Sequence, residues 1–235
     1  MVRGPAAVLV VTAAAWVYFL VPSLLPALHP EDTSRIVAGA VAAILIVAVA
    51  AGVATLADAP FVVPLVLLGA ALIAGTLDAA NVGAAATIPE TVVYSCLGIA
   101  FGVLLDAPAL VLAIPVFVAG IEIVSALGPA QALSHGAAQA GDPLNLELPQ
   151  WHTGGSAASF GLADVIFTGI YATYARRFGL RFVAAGIGMA AALATGLAIS
   201  IAVNSAMPEL AFLGAGFLLP NVDRVLTLFR SVGEG

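Results

Sequence analysis

The sequence predicts an all-α fold, a polytopic transmembrane helical bundle of about eight spans. Three observations carry this expectation. The 235 residues are 62% hydrophobic and 9% charged, with a mean hydropathy of +1.14, whereas a soluble domain carries about a quarter charged residues. Apolar runs of roughly 20 residues recur, each long enough to cross about 30 Å of hydrocarbon as a helix. Within those runs polar and apolar residues do not alternate, as they do in the strands of a membrane barrel.

The first expected span covers about 6–25 and stops at the proline-rich PALHPEDTSR; its length suits a span better than a cleaved leader. The second covers about 36–57 and ends at Asp58-Ala59-Pro60, and the third about 61–77. A loop with Asp78, Asn81 and Pro89 precedes a fourth span at about 90–105, and Asp106-Ala107-Pro108 turns the chain into a fifth at about 109–127. The polar segment 128–156 follows, then spans at about 157–175, 182–203 and 208–219. The chain is thus one membrane domain, with four spans over 1–105 and an acid-bearing half over 109–228. Small residues such as Gly186, Gly188, Gly196 and Ser200 permit close helix packing.

All seven basic residues are arginines. With about eight spans, Arg3, Arg176, Arg177, Arg181, Arg224 and Arg230 fall on one side and Arg35 alone on the other. The crowded side is expected to be cytoplasmic, with both termini inside and the 128–156 loop outside. The net charge of −6 excludes nucleic-acid binding, which needs a basic surface. The single cysteine, Cys96, excludes an internal disulfide and lies in an apolar run, where a buried inert thiol is expected.

Thirteen acids are present, and three of them, Glu122, Asp164 and Glu209, fall in or at the start of apolar runs. An ionisable group in such a place is costly and needs a reason. With the spans above, Glu122 and Asp164 lie on consecutive antiparallel helices, both roughly 8–10 Å below the outer boundary. Close carboxyls in a low-dielectric site share a proton, so one can activate water while the other polarises a carbonyl. Ser125 shares a face with Glu122, and Gly161, Asp164, Thr168 and Tyr171 form a small and polar stripe at helical spacing. From spacing alone, these acids suit a protease, a proton-coupled transporter or channel, or a hydrogen-bonded structural pair.

The segments Phe160-Gly161-Leu162-Ala163-Asp164 and Tyr174-Ala175-Arg176-Arg177-Phe178-Gly179-Leu180 resemble the Gly-x-Gly-Asp region of the presenilin and signal peptide peptidase family of intramembrane aspartyl proteases. The short-looped archaeal and bacterial members are closest in style. Pro208-Glu209-Leu210 falls where that family has Pro-Ala-Leu, and Ile121-Glu122-Ile123-Val124-Ser125 falls where it has Tyr-Asp with a serine three residues on. The resemblance covers about 109–228; the first four spans carry no motif. Glu122 stands where the family has aspartate, Ala163 where it has glycine, and Glu209 where it has alanine.

The resemblance implies catalysis by Asp164 and Glu122, with Gly161, Leu162, Ala163, Pro208, Glu209 and Leu210 contacting substrate, the last three holding an extended peptide by strand-like hydrogen bonds. It also allows a member that has lost catalysis and binds membrane helices. The orientation expected from the arginines resembles signal peptide peptidase, so the implied partners are type II transmembrane segments or signal peptides, within the lipid bilayer. No cofactor is implied. His135 and His152, with Asp142 and Glu147 between them, lack the tight spacing of a metal site, and no metal is expected. Trp16 and Trp151 suit the bilayer surface, although Trp16 lies deep enough to pack inside instead. Gly154 and Gly155 give the outer loop freedom.

Overall fold

A computed structural model describes residues 4–59, 61–80, 82–127, 145–152, 156–203, 205 and 207–233. Nine helices run in chain order among these residues: α1 (Gly4–Leu20), α2 (Glu31–Ala54), α3 (Val62–Ala79), α4 (Gly83–Leu104), α5 (Leu110–Leu127), α6 (Leu162–Arg177), α7 (Phe182–Val203), α8 (Glu209–Leu218) and α9 (Val222–Gly233). Five helical stretches are long and apolar enough to cross a membrane: Glu31–Asp58, Val62–Ala79, Ala84–Leu104, Phe182–Val203 and Glu209–Phe229. Val8–Leu20 and Leu110–Ser125 are shorter apolar helices.

The all-α expectation needs one correction. Between α5 and α6 lies an antiparallel hairpin of β1 (Asn145–Pro149) and β2 (Ser156–Gly161), pairing Leu146 with Phe160 and Glu147 with Ser159, with a bulge at Leu148/Pro149. Leu146, Leu148 and Phe160 are buried, which gives β1 the alternation of a half-buried strand. Residues 157–161 were expected in the sixth span; paired in this hairpin, they delay the start of α6 to Leu162. Two further helices begin earlier than expected. α2 starts at Glu31, whose first-turn acids suit a helix N-terminus, and α4 starts at Gly83, with Pro89 inside it.

Helix α6 sits at the centre. Nearly every residue from Asp164 to Ala175 is buried, with α4, α2, α7 and α8 packed around it. Its contact with α4 is backbone on backbone. A Cβ on Gly98 would lie 3.0 Å from Gly169 Cα, and one on Gly169 would lie 2.9 Å from the Ser95 carbonyl oxygen. Small residues at such a crossing let two helices approach closely enough for extended van der Waals contact. α7 and α8 meet in the same way at Gly188 and Gly216, and Gly196 abuts Phe212, whereas nothing approaches Gly186.

The stop of α6 is encoded in Arg177-Phe178-Gly179-Leu180. Gly179 adopts φ +64, while the Leu180 N–H bonds the Ala175 carbonyl at 2.9 Å and the Gly179 N–H bonds that of Arg176 at 3.3 Å. This glycine-terminated arrangement satisfies the last carbonyls of the helix. At the same end Arg176 pairs with Asp58, Arg177 with Asp106 and Arg181 with Asp223, so these three arginines gather at one end of the bundle. The hairpin lies at the other end, where the Thr87 hydroxyl donates to the Glu147 carbonyl at 2.9 Å and Trp151 Nε1 to the Tyr18 hydroxyl at 2.8 Å. Trp16 is tied inward as well, donating to the Ala85 carbonyl at 2.9 Å.

Candidate active site

The candidate site lies where α5, α6 and α8 meet at the hairpin end. Asp164 is the third residue of α6 and is buried, at 6% exposure. Its carboxylate oxygen accepts the N–H of Gly161 at 3.0 Å, the back-reaching half of a capping box. The expectation that Asp164 lies about two turns inside its helix is therefore corrected: it belongs to the first turn, because β2 occupies the residues assigned to those turns. The positive end of the α6 dipole faces this carboxyl.

Glu209 opens α8, with Pro208 as the residue before its first turn. Its carboxyl lies near that of Asp164. Glu122, near the end of α5, sends its carboxyl to the same helix start. It accepts the Ala211 N–H at 2.7 Å. Acids from three helices thus lie around the starts of α6 and α8, with Glu122 bonded to the α8 backbone.

Other expected site residues distribute around this cluster. Gly161, Leu162 and Ala163 form the half-buried entry to α6. Pro208 precedes α8 and Glu209 and Leu210 open it, with the next N–H, that of Ala211, accepted by Glu122. Ser125 is exposed. The Thr168 hydroxyl donates back to the Asp164 carbonyl at 2.7 Å, which removes it from the polar stripe. Tyr171 stays in that stripe. It is fully buried, stacks on Phe217 at 4.8 Å, and its hydroxyl has no hydrogen-bond partner among the described residues.

A second polar feature escaped the sequence reading. Thr87, Thr91 and Ser95 line one face of α4 and are all fully buried; Thr91 and Ser95 donate to the carbonyls one turn earlier at 2.7 and 2.6 Å. Their spacing of four was the available signal. Beside the site, α5 packs along α8 through Pro115 and Gly214 and leaves a cavity of about 510 Å³ toward α4 and α6. Phe101, Ile114, Phe117, Val118, Ile166 and Phe167 are among its walls. Val118 lies one turn before Glu122 on α5, and Phe167 one turn after Asp164 on α6, so this apolar cleft leads to the acids.

Among the described residues no group of three metal-ligating side chains comes together. Glu147 belongs to β1 and His152 is exposed beyond it, while His135, Asp142, Gly154 and Gly155 lie outside the described residues. Cys96 is buried at 1% exposure. Comparison with family models, with curated proteins and with solved structures gives no match to this chain.

Proposed function

We propose that this chain is an intramembrane aspartyl protease of the presenilin and signal peptide peptidase type. In this reading it crosses the bilayer about eight times with both termini in the cytoplasm, and it hydrolyses peptide bonds within type II or signal-peptide-like helices. The observation that carries the reading is the buried Asp164 in the first turn of α6, with Glu209 at the start of α8 and Glu122 bonded to the Ala211 N–H of that same helix start. Two acids that share a proton suit hydrolysis of an amide: the ionised member takes a proton from water, and the protonated member gives one to the carbonyl oxygen. The reaction needs no metal or organic cofactor.

The surroundings favour the same chemistry. The apolar cleft beside α5 offers a transmembrane segment lateral access with no polar group to desolvate. A scissile bond must leave its helix first, because a helical carbonyl is already engaged by an N–H four residues on. The two helix N-termini at the site provide positive partial charge where negative charge develops in the transition state. The test is cleavage of a synthetic type II transmembrane peptide by the purified protein in lipid vesicles. The wild type cleaves it, and Asp164→Asn lowers the rate by about a hundredfold or more. A wild type that leaves such peptides intact, yet takes up solute in response to a proton gradient, moves these acids to transport.

A further inference from the structure

We propose that the apolar cleft between α4, α5 and α6 holds one phospholipid, with an acyl chain filling the cleft and the phosphate at Arg177. Binding stands on the cleft itself; only its consequence for cleavage rests on the protease reading. Every residue lining the cleft is apolar. Water in an enclosed space needs several polar partners, and these walls offer it none. Phe101, Leu105 and Phe117 are exposed, so the cleft opens on the outer surface of the bundle, and its occupant is hydrocarbon.

Size separates the two kinds of hydrocarbon that a bilayer supplies. The cleft measures about 510 Å³ and follows α5 from Leu110 to Val118, a rise of about 12 Å. A helix with its side chains is about 10–12 Å across, so the same length of one fills roughly twice that volume. A transmembrane helix is too wide, whereas a single acyl chain fits lengthwise. Left empty, the walls would lack dispersion partners on one side, and a chain supplies them.

The mouth of the cleft sets the place of the headgroup. Leu105 lines the cleft, and its carbonyl accepts the Tyr174 hydroxyl at 3.0 Å. The next residue, Asp106, accepts Arg177 Nε at 3.1 Å and a second N–H from the same guanidinium. Arg177 follows Ile166 and Ile170 by eleven and seven residues, so it stands on the cleft face of α6, two turns beyond Ile170. A guanidinium carries five N–H donors, so two given to Asp106 leave others for a phosphate, a strong partner for arginine. Arg176 and Arg181 pair with carboxylates at this end, but Arg224 bonds the Gly179 carbonyl. Positive charge is therefore in excess there, which suits an anionic headgroup.

This placement carries the chain end to Val118 and Ile166, one turn from Glu122 and two residues from Asp164. The chain then closes the bilayer side of the acids. A substrate segment that has left its helix reaches them by displacing it.

The test places the protein in phosphatidylcholine vesicles with phosphatidylglycerol that carries a diazirine near the carbonyl or at the end of one acyl chain. Labelled residues are then identified by peptide mass spectrometry. The first probe is expected to label Leu105 and Leu110, and the second Val118 and Ile166, each saturating at low probe content. Val116 is exposed on α5 outside the cleft, and its labelling is expected to rise in proportion to the probe. A reversed pattern, or cleft labelling that tracks Val116, overturns the site, and this is read in the wild type without any substitution.

Retention through purification gives a second readout by native mass spectrometry. The wild type retains one phosphatidylglycerol, and Ala113→Trp, which fills the cleft, loses it. Arg177→Gln lowers retention about tenfold through loss of a charge-assisted bond, and Val116→Trp leaves it unchanged. Equal retention in wild type and Ala113→Trp, or equal loss in Val116→Trp, overturns the proposal. A saturating type II peptide is expected to release the lipid. Release without cleavage refutes the protease and leaves the lipid site standing; cleavage with the lipid still bound overturns entry through the cleft.

Discussion

The α4–α6 crossing positions Asp164, and Gly98→Ala tests that dependence. A Cβ at residue 98 would lie 3.0 Å from Gly169 Cα and 3.1 Å from the Ile170 nitrogen, and would strike the Ile166 carbonyl oxygen. All three are backbone atoms of the central helix, so no rotamer change relieves the contact and the helices must separate. Overpacking of this kind costs about 1–3 kcal/mol, which exceeds the roughly 1 kcal/mol that alanine gains over glycine in a helix. The variant is therefore expected to melt several degrees below the wild type in the same detergent. Separation also moves the first turn of α6, and a displacement of about 1 Å at a reacting group costs about a hundredfold in rate. The controls are Gly69→Ala and Gly75→Ala on α3, where no atom lies within 4 Å of the added Cβ; both are expected to melt at or above the wild type, from the alanine gain alone, and to cleave as it does. If Gly98→Ala melts with the wild type, or Gly69→Ala falls as far, close backbone packing does not set the position of Asp164.

Two other perturbations have clear outcomes. Tyr171→Phe removes an unpartnered buried hydroxyl, so its melting temperature is expected to hold or rise, while kcat/KM for a peptide falls about tenfold through loss of one hydrogen bond; a fall in both quantities assigns the hydroxyl to stability instead. Single cysteines at Leu24 and Phe61, which are 80% and 78% exposed near opposite ends of the bundle, are expected to react with a membrane-impermeant maleimide from opposite faces of a vesicle. Native Cys96, at 1% exposure, stays unlabelled in the folded protein; labelling of both introduced cysteines from one face contradicts the topology.

The helical elements were legible to different degrees, for reasons visible in particular residues. α7 matches its expected limits because Phe182–Val203 is uniformly apolar and its ends are set by local composition. α6 was misjudged at its start because Ser156–Gly161 is small and apolar enough to read as helix; pairing with Asn145–Pro149 makes it a strand. The alternation of Leu146 and Leu148 was the available clue to that pairing. At the site, Asp164 was legible as a costly acid in an apolar run. The role of Glu122 was not, since its partner N–H at Ala211 is 89 residues away.

The sequence by itself determined a bundle rich in apolar helices and a concentration of arginines toward one end. Hydrophobicity and helical hydrogen bonding are local, so a run of apolar residues declares them without reference to the rest of the chain. Only the tertiary structure decided where the acids lie. The placing of Asp164 in the first turn of α6 and the bond from Glu122 to the start of α8 depend on where two helices begin and how three pack, and a shift of one residue along a helix turns a side chain by about 100°.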